Sequence, residues 1–217
     1  MSLKLHYHPL ASFCWKALIA LYENGTKFEP HLVDLGNPEA AAAFKALWPI
    51  RKFPVLEDDA RGALIPESTT IIEYLDRHYP GPAPLVPGDP DAARDVRLAD
   101  RLYDLYVHLP MQKIMTDRLR PEGRSDPHGV DEAKATLLTA LGILDKDMGR
   151  RTWATGDTFS MADCAACPAL YYGNIAVPFT STHKNVAAYL ARLQQRPSFA
   201  RVLEEAEPYF KFVPRER

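Results

Sequence analysis

Tyr79-Pro80-Gly81-Pro82-Ala83-Pro84-Leu85-Val86-Pro87-Gly88-Asp89-Pro90 places five prolines and two glycines in twelve residues. Proline removes a backbone donor and fixes φ, so neither helix nor strand continues through such a run. The segment therefore splits the chain into 1–79 and 91–217, with 80–90 as a linker. Upstream, Leu3, Leu5 and Tyr7 alternate as in a strand, and a 3.6-residue period runs over 13–22. Asn24-Gly25 reads as the stop that follows this helix. A second short strand is expected near 31–34. The alanine-rich run 38–47 predicts a helix with a proline in its first turn. Residues 53–57 and 63–65 read as strands joined by a turn at 58–62, and a helix over about 68–78 closes the unit. The order β-α-β-α-β-β-α gives a small mixed sheet flanked by helices.

Downstream the periodicity is helical throughout, over 91–118, 130–148, 185–195 and 198–206, with a further helix opening at Ser160. There Ser160 and Asp163 stand at N-cap and N3, a capping box with Asp in place of Glu. The loop 121–129 separates the two longest helices.

The whole chain has 217 residues, 47% hydrophobic and 25% charged, which is ordinary for a globular protein with a sizeable core. A formal charge of -2 leaves no basic footprint, so nucleic acid is not an expected partner. No apolar run approaches a membrane span, and no signal-type segment opens the chain, so a cytoplasmic protein is expected. Three cysteines suit a reducing compartment rather than a disulfide scaffold. Cys164 and Cys167 form a lone C-x-x-C inside a helical pattern, which reads as small residues packing a core face. The histidines His6, His8, His31, His78, His108, His128 and His183 show no metal-ligand spacing, and no metal is expected.

Four local patterns resemble the cytosolic glutathione transferase family: Phe53-Pro54-Val55-Leu56-Glu57, Ile65-Pro66-Glu67-Ser68-Thr69-Thr70-Ile71, residues 156–163 (GDTFSMAD), and Arg196-Pro197-Ser198-Phe199. They lie in order along nearly the whole chain. The loop after the first strand, His8-Pro9-Leu10-Ala11-Ser12-Phe13-Cys14, is similar to the bacterial-type serine and cysteine classes. The resemblance implies a thioredoxin-like α/β N-terminal domain followed by an all-α domain. It implies a glutathione S-transferase acting in detoxification, with glutathione as co-substrate and a small-molecule electrophile as partner. A glutathione-dependent isomerase or dehalogenase, or a non-catalytic binding protein of the same fold, is the alternative.

By the same resemblance Pro54 is cis and Phe53 exchanges main-chain hydrogen bonds with the cysteinyl part of glutathione. Ser68 holds the γ-glutamyl carboxylate at a helix N-terminus, where free N–H groups and the dipole favour an anion, and Glu67 accepts from the γ-glutamyl ammonium. Lowering a thiol pKa from about 8.5 calls for a hydroxyl donor beside a helix N-terminus. Ser12 is the expected donor and Tyr7 the alternative. Ser12 also suits a plain N-cap, and many serine-type members carry the reactive Ser where this chain has Ala11. Ala11 likewise removes the first cysteine of a glutaredoxin-like pair, leaving Cys14 as a buried first-turn residue. Leu10, Phe13, Tyr106 and Met111 are the expected walls of the electrophile pocket. A homodimer is implied by the family, with Ile71, Ile72, Tyr74 and Leu75 giving 68–78 more apolar surface than one small sheet covers.

Overall fold

The computed structural model describes residues 3–214; residues 1–2 and 215–217, which the expected domain limits include, lie outside the described residues. The first part contains β1 (Leu3–Tyr7), α1 (Ser12–Glu23), β2 (Glu29–Leu32), α2 (Pro38–Leu47), β3 (Val55–Asp58), β4 (Ala63–Pro66) and α3 (Ser68–His78). The strands lie in the order β2-β1-β3-β4, with β1 and β2 parallel and the other pairs antiparallel. Alternation along β1 sends Leu3 and Leu5 into the main core, beneath α1 and α3. Lys4 and His6 take the opposite face. There α2 is fixed by a small second cluster of Val33, Phe44 and Val55. The second strand begins two residues earlier than the sequence pattern suggested and is exposed along its length, so no burial alternation marked its start.

The second part is helical: α4 (Pro90–Leu102), a π-helical turn (Tyr103–His108), α5 (Leu109–Asp117), α6 (Pro127–Met148), α7 (Met161–Ala176), α8 (Lys184–Gln194) and α9 (Pro197–Ala206), ending in a 3₁₀ turn (Glu207–Phe212). The segment expected as one helix over 91–118 is thus continuous but carries a wide turn in its middle. The mixed sheet followed by an all-helical part matches the expected architecture. At the start of α7 the Ser160 N–H donates to Asp163 Oδ2 at 2.8 Å. Asp163 is fully buried, and it also accepts from the Ala154 N–H at 2.8 Å and from the Tyr189 hydroxyl at 2.5 Å. One carboxylate thereby satisfies donors from three segments, which is what allows it to be buried.

Two elements tie the parts together. Residues 14–21 of α1 are all buried, because α3, α7 and α9 pack around it and Leu3 and Leu5 of the sheet join the same core. A helix buried on nearly every side belongs in an interior, and this one, apolar over 14–21 except for Lys16, serves both parts. The linker is also fastened: Asp76 accepts from the Leu85 and Val86 N–H groups at 2.7 and 3.2 Å, and the Leu85 carbonyl accepts from the Met161 N–H at 2.9 Å.

The expectation of spare apolar surface on α3 is not met. Ile71, Ile72 and Leu75 are fully buried within the chain, where α1 covers them, and the Tyr74 hydroxyl donates to Asp58 at 2.6 Å. Exposed apolar side chains occur elsewhere, at Leu32, Ile50 and Leu64 in the first part and at Leu98, Leu105, Tyr106, Leu138 and Ile143 on the helical part. Among the described residues, no helix is long and apolar enough to cross a membrane.

Candidate functional site

The turn between β1 and α1 is held rigidly from both parts of the molecule. The Leu10 N–H donates to His8 Nδ1, Trp15 Nε1 donates to the Pro9 carbonyl at 2.6 Å, and the Tyr172 hydroxyl donates to the Leu10 carbonyl at 3.1 Å. Ala11 takes the N-cap position, so Ser12 is the first helical residue rather than the cap. Its hydroxyl turns inward and lies 2.5 Å from His108 Nε2. The sequence reading of Ser12 as a simple N-cap is thereby excluded.

His108 ends the π-helical turn and is fully buried. Its ring stacks on Phe13 at 3.9 Å with 7° between planes. Burial, reinforced by the charge of Lys16, brings its pKa down to about 3, so the imidazole is neutral at physiological pH. Nδ1 has no hydrogen-bond partner. A neutral ring with Nε2–H donates to Ser12 Oγ and leaves the serine proton free; the other tautomer accepts that proton and buries an unpaired Nδ1–H. A bare ring nitrogen is the cheaper orphan, which favours the first arrangement.

Beside this pair lies a cleft of about 400 Å³ between the two parts; Phe13, which stacks on His108, lines it, while Ser12 and His108 are themselves buried and do not. One side is Phe13 of α1 with Lys52, Phe53 and Pro54 just before β3, and its floor is the start of α3 with Glu67, Ser68 and Thr70. The Phe53–Pro54 peptide is cis. Glu67 sits at φ +69°, a conformation costly for a residue with a Cβ, and occupies the N-cap position without a capping side-chain bond. Ser68 is therefore the first helical residue and not the cap that the sequence suggested. The first-turn N–H groups of α3 lack helical acceptors, so this end of the cleft suits an anion.

A buried ion cluster forms the rear wall. Lys16 Nζ donates to Asp100 at 2.8 Å, Asp104 at 2.7 Å and the Thr69 hydroxyl at 3.0 Å. The Arg101 guanidinium reaches Asp100 and Asp104 at 2.6 and 2.8 Å. Lys16 and Asp100 are fully buried, and burial pushes the Asp104 carboxyl upward against the pull of Lys16. Two cations facing two carboxylates bolt α1, α3 and α4 together at the edge of the cleft.

The expected pocket residues separate. Phe13 lines the cleft. Leu10 contributes its carbonyl to Tyr172 and is not among the lining residues. Met111 is in the core at 2% exposure, and Tyr106 opens onto a different, apolar groove with Leu102, Ala140, Ile143 and Leu144. The wide π turn advances each residue by less than the 100° of an α-helix, so Leu105 and Leu109 face the cleft instead. Tyr7 packs against the main core, with Glu205 and Tyr209 as neighbours, and burial raises its phenol pKa. Cys14, Cys164 and Cys167 are fully buried free thiols whose pKa values burial pushes up. Among the described residues, no group of three or more His, Cys, Asp or Glu is arranged to hold a metal.

Sequence reasoning missed His108, Lys16, Asp100 and Asp104. A signal existed: Asp100, Asp104 and His108 recur at four-residue spacing, and Lys16 is the one charge inside the apolar run 13–21.

Comparison with known proteins adds the following. Residues 5–83 match the family model described as glutathione S-transferase, N-terminal domain, and residues 103–197 that of glutathione S-transferase, C-terminal domain. A probable maleylacetoacetate isomerase of Caenorhabditis elegans is 30% identical over 78% of each chain. A stringent starvation protein A homolog of Coxiella burnetii is 28% identical over 96% of this chain and 95% of its own. The crystal structure of a glutathione S-transferase from Methylobacillus flagellatus with glutathione bound superimposes with a TM-score of 0.85 at 28% identity, covering 93% of this chain and 98% of that one.

Proposed function

The chain belongs to the glutathione S-transferase family, and from that premise we propose that it binds glutathione in the interdomain cleft and activates its thiol through Ser12. The carrying observation is the 2.5 Å contact between Ser12 Oγ and the buried, neutral His108. In this reading the Phe53 main chain pairs with the cysteinyl unit, Ser68 and the α3 N-terminus hold the γ-glutamyl carboxylate, and Glu67 accepts from the ammonium. The thiol then lies towards the N-terminus of α1. His108 donates to Ser12 Oγ, Ser12 donates to the developing thiolate, and the helix dipole adds to the stabilisation. The thiolate sulfur forms a bond to an electrophilic carbon resting on Phe13, Leu105 and Leu109, and the group displaced from that carbon departs with its electron pair to solvent through the open cleft.

The proton released by the thiol leaves to solvent through the open cleft, since a His108 held neutral by burial is a poor acceptor. Retention on immobilised glutathione, released by free ligand, tests the binding site. Changing Glu67→Ala and Ser68→Ala together should abolish retention, and unchanged retention would contradict the assignment.

A second reading is a glutathione-dependent isomerase or dehalogenase using the same thiolate. Lys52 on the cleft wall favours it, because its ammonium suits an acidic substrate. A panel of neutral aryl or alkyl halides against unsaturated dicarboxylates separates the two. A binding protein without turnover would show an unshifted thiol. We further propose a cytoplasmic homodimer joined through the exposed apolar groove of α4 and α6, where Leu98, Tyr106 and Ile143 lie open.

A further inference from the structure

The turn that presents Ser12 is closed by a histidine that the proposed chemistry does not use. His8 follows β1 and precedes Pro9, which has no N–H to place. The two N–H groups between Pro9 and Ser12 both end on His8: Leu10 donates to its ring Nδ1 at 3.2 Å and Ala11 to its main-chain carbonyl at 2.9 Å. The Ala11 carbonyl then accepts from the Cys14 N–H at 2.8 Å, which opens α1 and sets Ser12 within it. The other fastenings of the turn, from Trp15 and Tyr172, reach carbonyls. The His8 ring is thus the acceptor on which the Leu10 N–H depends.

The same ring reaches the other half of the cleft. It lies near-parallel to Phe53, the residue before the cis proline, with centroids 6.3 Å apart and 20° between planes. The Tyr209 ring of the 3₁₀ turn stands crosswise to it at 5.8 Å and 73°. One half-buried imidazole therefore links the turn carrying Ser12 to the segment carrying Phe53.

The hydrogen bond fixes the protonation state. An imidazole nitrogen accepts only while it carries no proton, so the Leu10 bond needs the neutral ring with its hydrogen on Nε2. A second proton would set an Nδ1–H against the Leu10 N–H, two donors facing each other, and the turn would lose the bond. The ring's neighbours from the other elements, Phe53 and Tyr209, are aromatic. Burial upholds the neutral state and brings His8 below the usual histidine value, against the opposing pull of Asp34, the carboxylate just past β2.

We propose that His8 is a positioning residue for thiol activation: as a neutral acceptor it holds the Leu10 N–H and so fixes Ser12 at the start of α1, while its ring backs Phe53. The donor to the thiol and the main chain that pairs with the cysteinyl unit then keep one spacing. The role in activation rests on the reading of the cleft given above; the hold on the turn does not. Removing the ring acceptor leaves a backbone N–H unpaired and the turn free to shift. The loss falls on the thiolate rather than on binding, because Glu67, Ser68 and the start of α3 are untouched.

Nuclear magnetic resonance of the full wild-type chain without ligand reads the turn by itself. The Leu10 amide should titrate together with the His8 ring, at a midpoint below about pH 6.5. A Leu10 amide that ignores the His8 proton overturns the proposal. Two variants then separate the acceptor from the ring. His8→Asn loses the ring but keeps an oxygen that accepts from the N–H two residues on, in an Asx turn that takes no proton; His8→Phe keeps the ring and loses the acceptor. With glutathione bound below the thiol's midpoint, His8→Phe should hold roughly three- to thirtyfold less thiolate by ultraviolet absorbance, with affinity for glutathione within about twofold of wild type. His8→Asn should stay within about threefold of the wild-type thiolate, and its Leu10 amide should cease to titrate. The reverse order, with Phe intact and Asn impaired, makes His8 a packing residue and overturns the proposal, as do equal losses in the two variants. A wild-type thiol that is not activated, beside a Leu10 amide that follows His8, supports the hold on the turn and refutes the reading of the cleft instead.

Discussion

Replacing His108 by glutamine tests whether the imidazole beside Ser12 is excluded from charge, and the size of the effect follows from its surroundings. Full burial next to Lys16 brings the His108 pKa down to about 3, whereas in the unfolded chain a histidine titrates near 6.5. The unfolded chain therefore takes the proton first. The stability linked to neutral His108 is complete above about pH 6.5 and is lost as pH falls toward about 3. At about 1.4 kcal/mol per pH unit, descent from about pH 6.5 to about pH 4.5 removes on the order of 3 kcal/mol through this one group. Glutamine has no proton to gain and keeps a polar partner for Ser12. It loses the stacking on Phe13, a pH-independent cost of roughly 0.5–1.5 kcal/mol. Urea unfolding of both proteins at about pH 7.5 and 4.5 should therefore show the difference between them moving by on the order of 3 kcal/mol in favour of the variant at acid pH. A movement below about 0.5 kcal/mol would refute the reasoning, because the folded protein would then accept the proton at His108 as readily as the unfolded chain does.

Ser12→Ala should lower turnover roughly ten- to a thousandfold, about 1.4–4 kcal/mol, with little change in glutathione affinity, while Tyr7→Phe leaves turnover intact; the reverse pattern in steady-state kinetics would make the phenol the donor. Lys16→Met leaves Asp100 and Asp104 buried with Arg101 alone, and should destabilise the fold by roughly 3–5 kcal/mol in the same unfolding assay at neutral pH. Tyr106→Asp places a charge in the apolar groove of α4 and α6 and should shift sedimentation at micromolar concentration from dimer to monomer; an unchanged dimer would put the interface elsewhere.

The architecture was legible because its punctuation is local. Five prolines in 79–90 broke the chain, and Ser160 with Asp163 announced α7 through a bond between residues three apart. Phe53-Pro54 and Glu67-Ser68 were likewise contiguous motifs, and they meet in the cleft. What stayed hidden depends on distance or on phase. Ser12 and His108 are 96 residues apart, and periodicity says nothing of such a contact. The π turn is a one-residue change in helical phase, marked in the sequence only by Pro110 just beyond its end. It moved Leu105 and Leu109 into the cleft, where Tyr106 and Met111 were expected. The surplus apolar surface assigned to α3 vanished because α1, read only as the partner of the sheet, is shared by the whole molecule. Lys16 among apolar neighbours was readable as a buried charge in search of counterions, but Asp100 and Asp104 could be matched to it only in space.

The ultraviolet absorbance of glutathione thiolate bound to the protein, titrated with pH in the wild type and in Ser12→Ala, tests the proposed chemistry most directly. The account predicts a bound thiol that ionises well below the free value of about 8.5. It also predicts a return toward that value in Ser12→Ala, with the tripeptide still bound. A wild-type complex whose thiol ionises no more readily than free glutathione would contradict it.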